Sequence, residues 1–363
     1  MTSENKYVAW NNLGTSGLRV SKLIIGCMQY GSRDFFPWVE DDEEKIFKIL
    51  KKAYDRGIRT YDTANIYSNG LSEIILGKFL KKYNIKRDKV VILTKVFFPI
   101  DEDYGPGFFP ALKGASADEK LDLQNAQGLS RKHIFDAVDD SLRRLGVDYI
   151  DVYQIHRLDT NVSKEEIMRS LNDIVQSGKV RYIGSSSMRA VDFVELQHIA
   201  DKNGWHKFIN VQSEYNLLER SDEQELNYYC NNHGVGLTPY SPLARGLLAR
   251  KVPENESDFT DRESTSTIAF QPLTRNDKEA AADIEIIDRI GEIAENRGSK
   301  RATVALAWLI HKGANPIVGL GKEERIDDAI EASSFKLTDS EINYLEEPYK
   351  PKLKRIFGSR LDD

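Results

Sequence analysis

Four side chains able to exchange protons follow three short segments that have the length of β-strands. The four are Asp62, Tyr67, Lys95 and His156, and the segments are residues 59–61, 90–94 and 149–155. Neighbouring parallel strands would bring a carboxylate, a phenol, an amine and an imidazole together at one end of a sheet. Such a group of side chains can move a proton to or from a substrate.

The phenol of Tyr67 needs help to take part in proton exchange at neutral pH. A free tyrosine has a pKa of about 10. A buried ammonium beside the phenol favours the tyrosinate, so we expect Lys95 to lower the pKa of Tyr67. Burial would also discharge Lys95 unless a carboxylate lay next to it, and Asp62 can keep it charged. His156 can then orient a carbonyl oxygen beside the Tyr67 hydroxyl.

These groups together can donate a proton to a carbonyl oxygen during reduction, and can accept one during alcohol oxidation. Neither direction proceeds without a donor or acceptor of hydride, which the four side chains do not provide. The sequence therefore predicts a redox cofactor.

Each of the four residues also has an ordinary role when it is taken alone. Tyr67 could be a half-buried packing residue, and Asp62 could cap the following helix. Lys95 could be a solvated charge and His156 a structural hydrogen-bonding residue. The four residues together favour a functional site, because otherwise four unrelated residues would have to show this spacing by chance.

The remainder of the chain alternates segments of strand length with segments of helical period. The eight candidate strands are residues 23–27, 59–61, 90–94, 149–155, 180–184, 209–213, 235–240 and 316–320. Strict alternation predicts parallel strands with right-handed crossovers, which an open doubly wound sheet and a closed (β/α)8 barrel both satisfy. The count of eight favours the barrel. So does the position of the candidate functional residues at carboxyl ends of strands, where barrel active sites lie; these are Asp62, Lys95, His156, Ser186, Gln212 and Tyr240.

We therefore predict one α/β domain over residues 1–363, a TIM barrel whose core covers residues 13–346. Two loop insertions, residues 96–128 and 251–277, interrupt the alternation. Barrel loops of this length usually belong to the functional face. The aromatic part of the first insertion directly follows Lys95, and we expect it to form a wall or lid of the pocket. Its second part, residues 113–127, fits a disordered insertion equally well.

Composition narrows the class of partner. The chain has 363 residues, of which 40% are hydrophobic and 30% charged, as in globular proteins with a large core. Its net charge of -6 argues against binding to a nucleic-acid backbone. Cys27 and Cys230 are too few for a disulfide framework or a metal cluster. The chain lacks an apolar run of ~18 residues and an apolar signal region at its N-terminus. We expect a cytoplasmic protein with a small-molecule substrate and without a metal, membrane or nucleic-acid partner.

Three sequence motifs surround the four candidate residues. Residues 57–64 have the sequence Gly-Ile-Arg-Thr-Tyr-Asp-Thr-Ala and continue through Tyr67 to Glu73. Lys95 ends the motif Leu-Thr-Lys, and His156 ends the motif Tyr-Gln-Ile-His. These motifs resemble the first signature and the catalytic tetrad of the aldo-keto reductases. Residues 154–157, Gln-Ile-His-Arg, and the long insertion after Lys95 are most similar to the fungal aryl-alcohol dehydrogenase branch of that family.

The resemblance covers residues 13–345 and implies a (β/α)8 barrel that holds an extended NADP(H) without a Rossmann domain. It implies that Ser186 and Gln212 hold the nicotinamide carboxamide and that Tyr240 stacks on the ring. The segment that would follow the pyrophosphate contains Ser241, Pro242, Leu243 and Gly246; Arg245 in the same segment could contact the cofactor or be a surface charge. The adenosine end would be surrounded by Gly319, Lys322, Arg325 and Asp328.

Three positions depart from the family pattern. Ser187 stands where the family usually has Asn after the carboxamide-binding serine. Gly319 replaces a frequent lysine, and Ala329 replaces a common Asn. The expected preference for NADP over NAD therefore rests mainly on Arg325, because a guanidinium can bind a 2′-phosphate with two hydrogen bonds, and on Lys322 in support.

The motifs predict an NADP(H)-dependent oxidoreductase that interconverts aldehydes or ketones and alcohols, with aromatic aldehydes as the expected substrates. The aromatic residues Phe35, Phe36 and Trp38 fit an apolar substrate, although ordinary loop packing explains them nearly as well. An alternative is a regulatory or partner protein of the same fold that binds the cofactor with little turnover. A hydrolase with paired carboxylates, Asp62 and Glu214, would leave Lys95 and Tyr67 unexplained.

Overall fold

The computed structural model describes residues 7–108, 121–264 and 273–352 and has eight parallel strands in one sheet. An antiparallel hairpin of β1 (Trp10–Asn12) and β2 (Arg19–Ser21) precedes the sheet. The sheet strands are β3 (Ile24–Gly26), β4 (Thr60–Asp62), β5 (Val91–Val96), β6 (Ile150–Ile155), β7 (Val180–Ser186), β8 (Phe208–Gln212), β9 (Gly236–Leu237) and β10 (Ile317–Val318). Spatial neighbours follow chain order from β3 to β9, and β10 pairs with β3.

Two backbone hydrogen bonds close the sheet between β9 and β10. The Asn315 N–H donates to the Leu237 carbonyl at 2.8 Å, and the Ile317 N–H donates to the Pro239 carbonyl at 2.9 Å. The sheet is therefore joined to itself all the way round. The prediction of a (β/α)8 barrel is confirmed, and all eight predicted strands are present with ends that differ by a few residues.

Helices surround the barrel. They are α1 (Glu43–Asp55), α2 (Leu71–Lys82), α3 (Arg131–Leu145), α4 (Lys164–Gln176), α5 (Ala190–Asn203), α6 (Leu226–His233), α7 (Asp261–Ser264), α8 (Ala281–Asn296), α9 (Arg301–His311), α10 (Glu324–Ala332) and α11 (Asp339–Glu346). Among the described residues, none of these helices combines the length and apolar character needed to cross a bilayer.

Three of the elements that the sequence pattern missed have a clear physical reason. The strands of the β1–β2 hairpin have three residues each, which is too short to show a period. Helix α2 buries Ser72 and Glu73, and these polar residues interrupt its apolar stripe. Helix α11 has eight residues, of which only Ile342 and Leu345 are buried hydrophobics.

The hairpin covers the amino-terminal end of the barrel. The Thr15 N–H donates to the Gly234 carbonyl at 2.8 Å, which ties the hairpin turn to the loop before β9. A small apolar cluster fills this end, made of Leu13, Val20, Val91, Leu93 and Val152. The hairpin and this cluster fill the amino-terminal end of the barrel. The large cavity therefore lies at the opposite end, at the carboxyl ends of the strands.

Two hydrogen bonds close the base of the first insertion and join it to the segment after β6. The Gly128 N–H donates to the Phe97 carbonyl at 2.7 Å, and the Leu129 N–H donates to the buried Asp159 carboxylate at 2.9 Å. Residues 109–120 of this insertion, and residues 265–272 of the second, lie outside the described residues. The expectation of disorder for residues 113–127 lies outside the described residues as far as residue 120, whereas residues 121–127 are described and bury Leu123 against Phe108.

Candidate active site

Lys95 is the centre of the predicted proton-transfer site. Its ammonium lies 2.5 Å from the Asp62 carboxylate and 3.2 Å from the Tyr67 hydroxyl. It donates a third hydrogen bond to the Thr63 carbonyl at 2.9 Å. Lys95 is fully buried and Asp62 is 2% exposed, so the protein itself satisfies the three donors of the ammonium.

Strand register brings these residues to one level of the barrel. Asp62 pairs with Gly26 of β3, and Lys95 pairs with Gln154 of β6. The chain then continues in register, because the His156 N–H donates to the Val96 carbonyl at 2.8 Å. The acid, the amine and the imidazole are therefore placed by adjacent parallel strands at their carboxyl ends, as their spacing predicts.

Tyr67 is placed by a left-handed turn that follows it. Ser68, Asn69 and Gly70 have φ values of 48°, 53° and 88°. Non-glycine residues seldom adopt such angles. Hydrogen bonds between the side chains of the turn and other segments of the chain stabilise it. The Ser68 hydroxyl accepts from the Ser32 N–H at 3.1 Å. Asn69 is hydrogen-bonded to the backbone of the first insertion, donating to the Gly105 carbonyl at 2.8 Å and accepting from the Asp101 N–H at 3.1 Å.

The pKa of Tyr67 does not move in the direction expected from Lys95 alone. Burial raises the pKa of the phenol, and this effect outweighs the neighbouring Lys95 charge, which lowers it. The expectation of a lowered pKa is therefore wrong, because desolvation of the phenolate raises the pKa by more than the charge of one ammonium lowers it. Tyr67 is protonated at neutral pH, which is the form that can donate a proton.

The charge of Lys95 is secure by the same kind of balance. Burial lowers the pKa of the ammonium, but the Asp62 carboxylate and the Tyr67 phenol together outweigh it and leave the pKa raised. Asp62 therefore has the role expected of it, and it does not cap a helix: the next helix, α2, begins at Leu71.

His156 is a neutral imidazole. Burial lowers its pKa well below the ordinary value, and the charges of Arg157 and Lys95 act in the same direction. Its ring lies 6.0 Å from the Tyr67 ring and 5.1 Å from the Phe98 ring, edge-on to both. Its Nδ1 is buried and has no hydrogen-bonding partner among the described residues. Nε2 is therefore the ring nitrogen that can form a hydrogen bond with a ligand in the cavity, which His156 lines.

Two buried amides hold the other oxygen of Asp62, and sequence reasoning missed one of them. Gln212 donates to this oxygen at 2.8 Å and Gln154 donates at 3.1 Å. Gln212 also donates to the Gln154 carbonyl oxygen at 3.2 Å, so its own carbonyl oxygen remains as an acceptor at the cavity. A glutamine inside the apolar strand segment of β6 was the available signal for Gln154.

One cavity of about 1680 Å³ connects the proton-transfer site to the far side of the barrel. Asp62, Tyr67 and His156 line one part of it, while Lys95 lies beneath this surface. All predicted cofactor-binding residues line the same cavity, namely Ser186, Gln212, Tyr240, Ser241, Pro242, Leu243, Arg245, Gly246, Gly319, Lys322, Arg325 and Asp328. The predicted residues are thus brought to one continuous surface.

Ser187 and Tyr240 are connected beside the proton-transfer site. The Ser187 hydroxyl lies 3.3 Å from the Tyr240 hydroxyl. Ser187 has a φ of 45°, a conformation that asparagine adopts more readily than serine. This angle gives a physical reason for the asparagine that is usual at this position in the family pattern that the sequence resembles.

The segment after Tyr240 has an unusual backbone and an ion pair. Ser241, Ala244, Arg245 and Gly246 have φ values of 51°, 45°, 59° and 113°. The Arg245 guanidinium binds the Glu214 carboxylate through two hydrogen bonds, of 2.9 Å and 3.2 Å. The pairing of Arg245 with Glu214 leaves no support for the paired-carboxylate hydrolase.

The far part of the cavity is rich in cations. Lys322 and Arg325 are exposed at the start of α10, and Lys300 and Arg301 begin α9. Sequence reasoning missed the second pair. The signal was available, because cations at a helix N-terminus oppose the helix dipole and are unfavourable unless they serve another purpose.

Aromatic side chains line the cavity beside Tyr67 and His156. Phe36 and Trp38 stack with their ring centroids 5.3 Å apart, and Phe98 of the first insertion lies against His156. The part of that insertion nearest Lys95 therefore forms a wall of the pocket, as expected. Phe35 fits both interpretations of the sequence, since it lines the cavity and is also buried in a local cluster with Tyr67.

A closed parallel barrel with an amine, an acid and a phenol at its carboxyl end is an architecture for acid–base catalysis. The family model described as the Aldo/keto reductase family matches residues 22–350. The chain therefore belongs to the aldo/keto reductase family and is an oxidoreductase of that class, so the resemblance inferred from its motifs is confirmed.

Fungal relatives are similar over nearly the whole chain. The "Putative aryl-alcohol dehydrogenase C977.14c" of Schizosaccharomyces pombe is 52% identical over 341 residues, which cover 93% of this chain and 95% of the relative. The "Putative aryl-alcohol dehydrogenase AAD16" of Saccharomyces cerevisiae is 50% identical over 94% of this chain and 97% of its own. The versiconal hemiacetal acetate reductase of Aspergillus parasiticus is 52% identical over 94% and 96%.

Proposed function

We propose that this protein is an NADP(H)-dependent carbonyl reductase that interconverts aldehydes or ketones and alcohols, with aromatic aldehydes as its preferred substrates. The observation that carries the proposal is the contact of the Lys95 ammonium with both the Asp62 carboxylate and the Tyr67 hydroxyl at the wall of a large cavity. Relatives named as aryl-alcohol dehydrogenases support the substrate class.

The cavity fits an extended dinucleotide. Its volume of about 1680 Å³ exceeds the 300–1,000 Å³ of an ordinary small-molecule pocket. Its two ends differ in chemistry, with acid–base groups at one and the cations Lys322 and Arg325 at the other. A β-carbon on Gly319 would lie 2.8 Å from the side-chain Oε1 of Gln29, which also lines the cavity, so the glycine lets this side chain lie against the backbone there.

In this proposal, Ser186 and Gln212 would hold the carboxamide of the nicotinamide, and Tyr240 would stack on the ring. Residues 241–246 follow the pyrophosphate, with the Arg245–Glu214 ion pair fixing their backbone. Lys322 and Arg325 bind the 2′-phosphate that distinguishes NADP from NAD. When bound, the nicotinamide supplies or removes the hydride.

The side chains of the site supply the proton. Tyr67, protonated at neutral pH, donates its hydroxyl proton to the carbonyl oxygen as negative charge develops there. The Lys95 charge stabilises the phenolate that remains, and neutral His156 orients the same oxygen by donating from Nε2. In alcohol oxidation Tyr67 accepts the proton. The walls formed by Phe36, Trp38 and Phe98 suit an aromatic ring.

Replacement of Tyr67 by phenylalanine tests the proposal. The unmodified protein should consume NADPH with benzaldehyde, and turnover by Tyr67→Phe should be slower by about two to four orders of magnitude, because the general acid is lost. NADPH binding, measured by quenching of protein fluorescence, should remain. Tyr228→Phe is the matched control, since Tyr228 is 69% exposed on α6.

Near-normal turnover by Tyr67→Phe would show that the phenol is not the proton donor. Tight NADPH binding by the unmodified protein without turnover of any aldehyde or ketone in a broad panel would instead favour the alternative of a regulatory or partner protein.

A further inference from the structure

A chain of buried hydrogen bonds runs from the far wall of the barrel to the proton-transfer site. Asn210 of β8 donates to the Thr238 hydroxyl at 2.8 Å and to the Gln154 carbonyl oxygen at 2.9 Å. Gln154 donates in turn to Asp62, which binds Lys95. Gln154, Asn210 and Thr238 are fully buried.

The orientation of Gln154 is fixed by chemistry. The ionised carboxylate of Asp62 can only accept hydrogen bonds, so the group of Gln154 that faces it must be the amide nitrogen. The amide oxygen then faces away, where Asn210 and Gln212 donate to it at 2.9 Å and 3.2 Å. Gln154 therefore cannot turn over without breaking three hydrogen bonds in a fully buried site.

We propose that Gln154 is a positioning residue, which holds the Asp62 carboxylate in its ion pair with Lys95 and thereby sets the pH at which Tyr67 exchanges its proton. This inference rests on the proposed reductase function. Gln154 does not touch the cavity itself, because it lies beneath Asp62, and it acts on Tyr67 only through Asp62 and Lys95.

The charged and titratable groups around this site define the direction of the effect. Cys27 faces Asp62 from the β3 side, Lys95 from β5, and His156 and Arg157 follow β6. At Tyr67, the Lys95 charge lowers the pKa and the Asp62 charge raises it. A hydrogen bond donated by Gln154 disperses the negative charge of Asp62. Loss of this donor makes the surroundings of Tyr67 more negative, and the phenol should hold its proton more tightly.

Two substitutions of Gln154 give an ordered prediction. Gln154→Met removes the donor and keeps the length of the side chain, and Gln154→Glu keeps the size and adds a second carboxyl group. The pH midpoints of NADP-linked benzyl alcohol oxidation and of NADPH-linked benzaldehyde reduction should both rise. We expect a rise of about one unit in Gln154→Met, which makes oxidation about tenfold slower at a pH well below the midpoint, and a larger rise in Gln154→Glu.

Gln197→Met is the matched control. Gln197 is also a buried glutamine with two hydrogen bonds, but these join α5 to the backbone of Phe208 at 2.8 Å and 3.1 Å. This variant should lose stability without a change in either midpoint. A purely structural role for Gln154 would lower the rate at every pH and leave the midpoints in place.

The outcomes separate the two proposals. Midpoints that rise in the order unmodified protein, Gln154→Met, Gln154→Glu support the inference. Active variants whose midpoints coincide with that of the unmodified protein overturn the inference and leave the proposed function standing. An unmodified protein without turnover overturns both.

Discussion

At the scale of single residues, Lys95 carries the charge on which the site depends. A lysine that is fully buried is tolerated only when each of its donors finds an acceptor and its charge finds a partner. The contacts with Asp62, Thr63 and Tyr67 meet both conditions. The same contacts fix the direction of the Tyr67 hydroxyl. One set of hydrogen bonds therefore stabilises the buried ion pair and also orients the proposed proton donor.

Arg325 decides the proposed preference between the two nicotinamide cofactors. Charge-assisted hydrogen bonds between a guanidinium and a phosphate contribute about 1.5–3 kcal/mol, or about 10- to 160-fold in affinity. Arg325→Ala should therefore weaken NADPH binding by that factor. Binding of NADH, which has no 2′-phosphate, should change little in fluorescence titrations of the same variant.

NADH is the internal control in that experiment, because in the proposed binding mode the two cofactors differ only at the 2′-phosphate. A parallel loss of affinity for NADPH and NADH would show that Arg325 supports the adenosine end in general. The preference would then have to come from other cations of the cavity, of which Lys300, Arg301 and Lys322 are the candidates.

At the scale of elements, the turn after Tyr67 couples the first insertion to the catalytic end of the barrel. Residues 68–70 all have positive φ, and Asn69 binds the backbone of the insertion at Asp101 and Gly105. The Asn65 side chain makes a further hydrogen bond to the insertion, donating to the Phe98 carbonyl at 3.1 Å. The loop that supplies an aromatic wall thus also supports the turn that positions Tyr67.

Asn69→Ala should disturb both functions of the turn. Alanine accepts a positive φ poorly and makes none of the side-chain hydrogen bonds, so we expect a loss of about 2–4 kcal/mol in urea unfolding. Displacement of Tyr67 should slow the turnover of benzaldehyde by about one to two orders of magnitude. Asn69→Gly keeps the backbone freedom and should lose only the hydrogen bonds, about half of the free energy.

Asn84→Ala provides the matched control for the contribution of the backbone. Asn84 also has a positive φ, 48°, but it is exposed after α2. Its replacement should cost about 1 kcal/mol and leave turnover unchanged. Equal effects of the two alanine variants on turnover would contradict a special role for the turn at Tyr67.

At the scale of the whole molecule, the cavity crosses the seam where the barrel closes. Its lining includes Gly26 of β3, Tyr240 after β9 and Ile317 of β10. These strands are short, with two or three residues each, and few backbone hydrogen bonds join them. A ligand that fills the cavity therefore contacts the part of the barrel with the least backbone pairing.

Binding of NADPH should consequently stabilise this seam. A ligand at a concentration about 100 times its dissociation constant adds about 2.7 kcal/mol to the free energy of unfolding. We expect a higher thermal midpoint and slower amide hydrogen exchange at residues 239–246 and 317–325, with little change at the amino-terminal hairpin. Uniform protection of the whole chain, or protection confined to the hairpin, would contradict binding in this cavity.

Local sequence patterns were sufficient to predict the barrel and the residues at the carboxyl ends of its strands. Both are encoded locally. Segments of strand length that alternate with segments of helical period predict parallel strands, and the residue after each strand lies at its carboxyl end. The spacing of Asp62, Lys95 and His156 therefore predicted their meeting correctly.

The electrostatic balance among these groups could not be predicted from the sequence and became visible in the folded protein. The raised pKa of Tyr67, the place of Gln154 beneath Asp62 and the pairing of Arg245 with Glu214 each join residues from different parts of the chain. They depend on burial and on distances across the barrel. Local sequence cannot encode either quantity, because both arise from packing strands and loops that are distant along the chain.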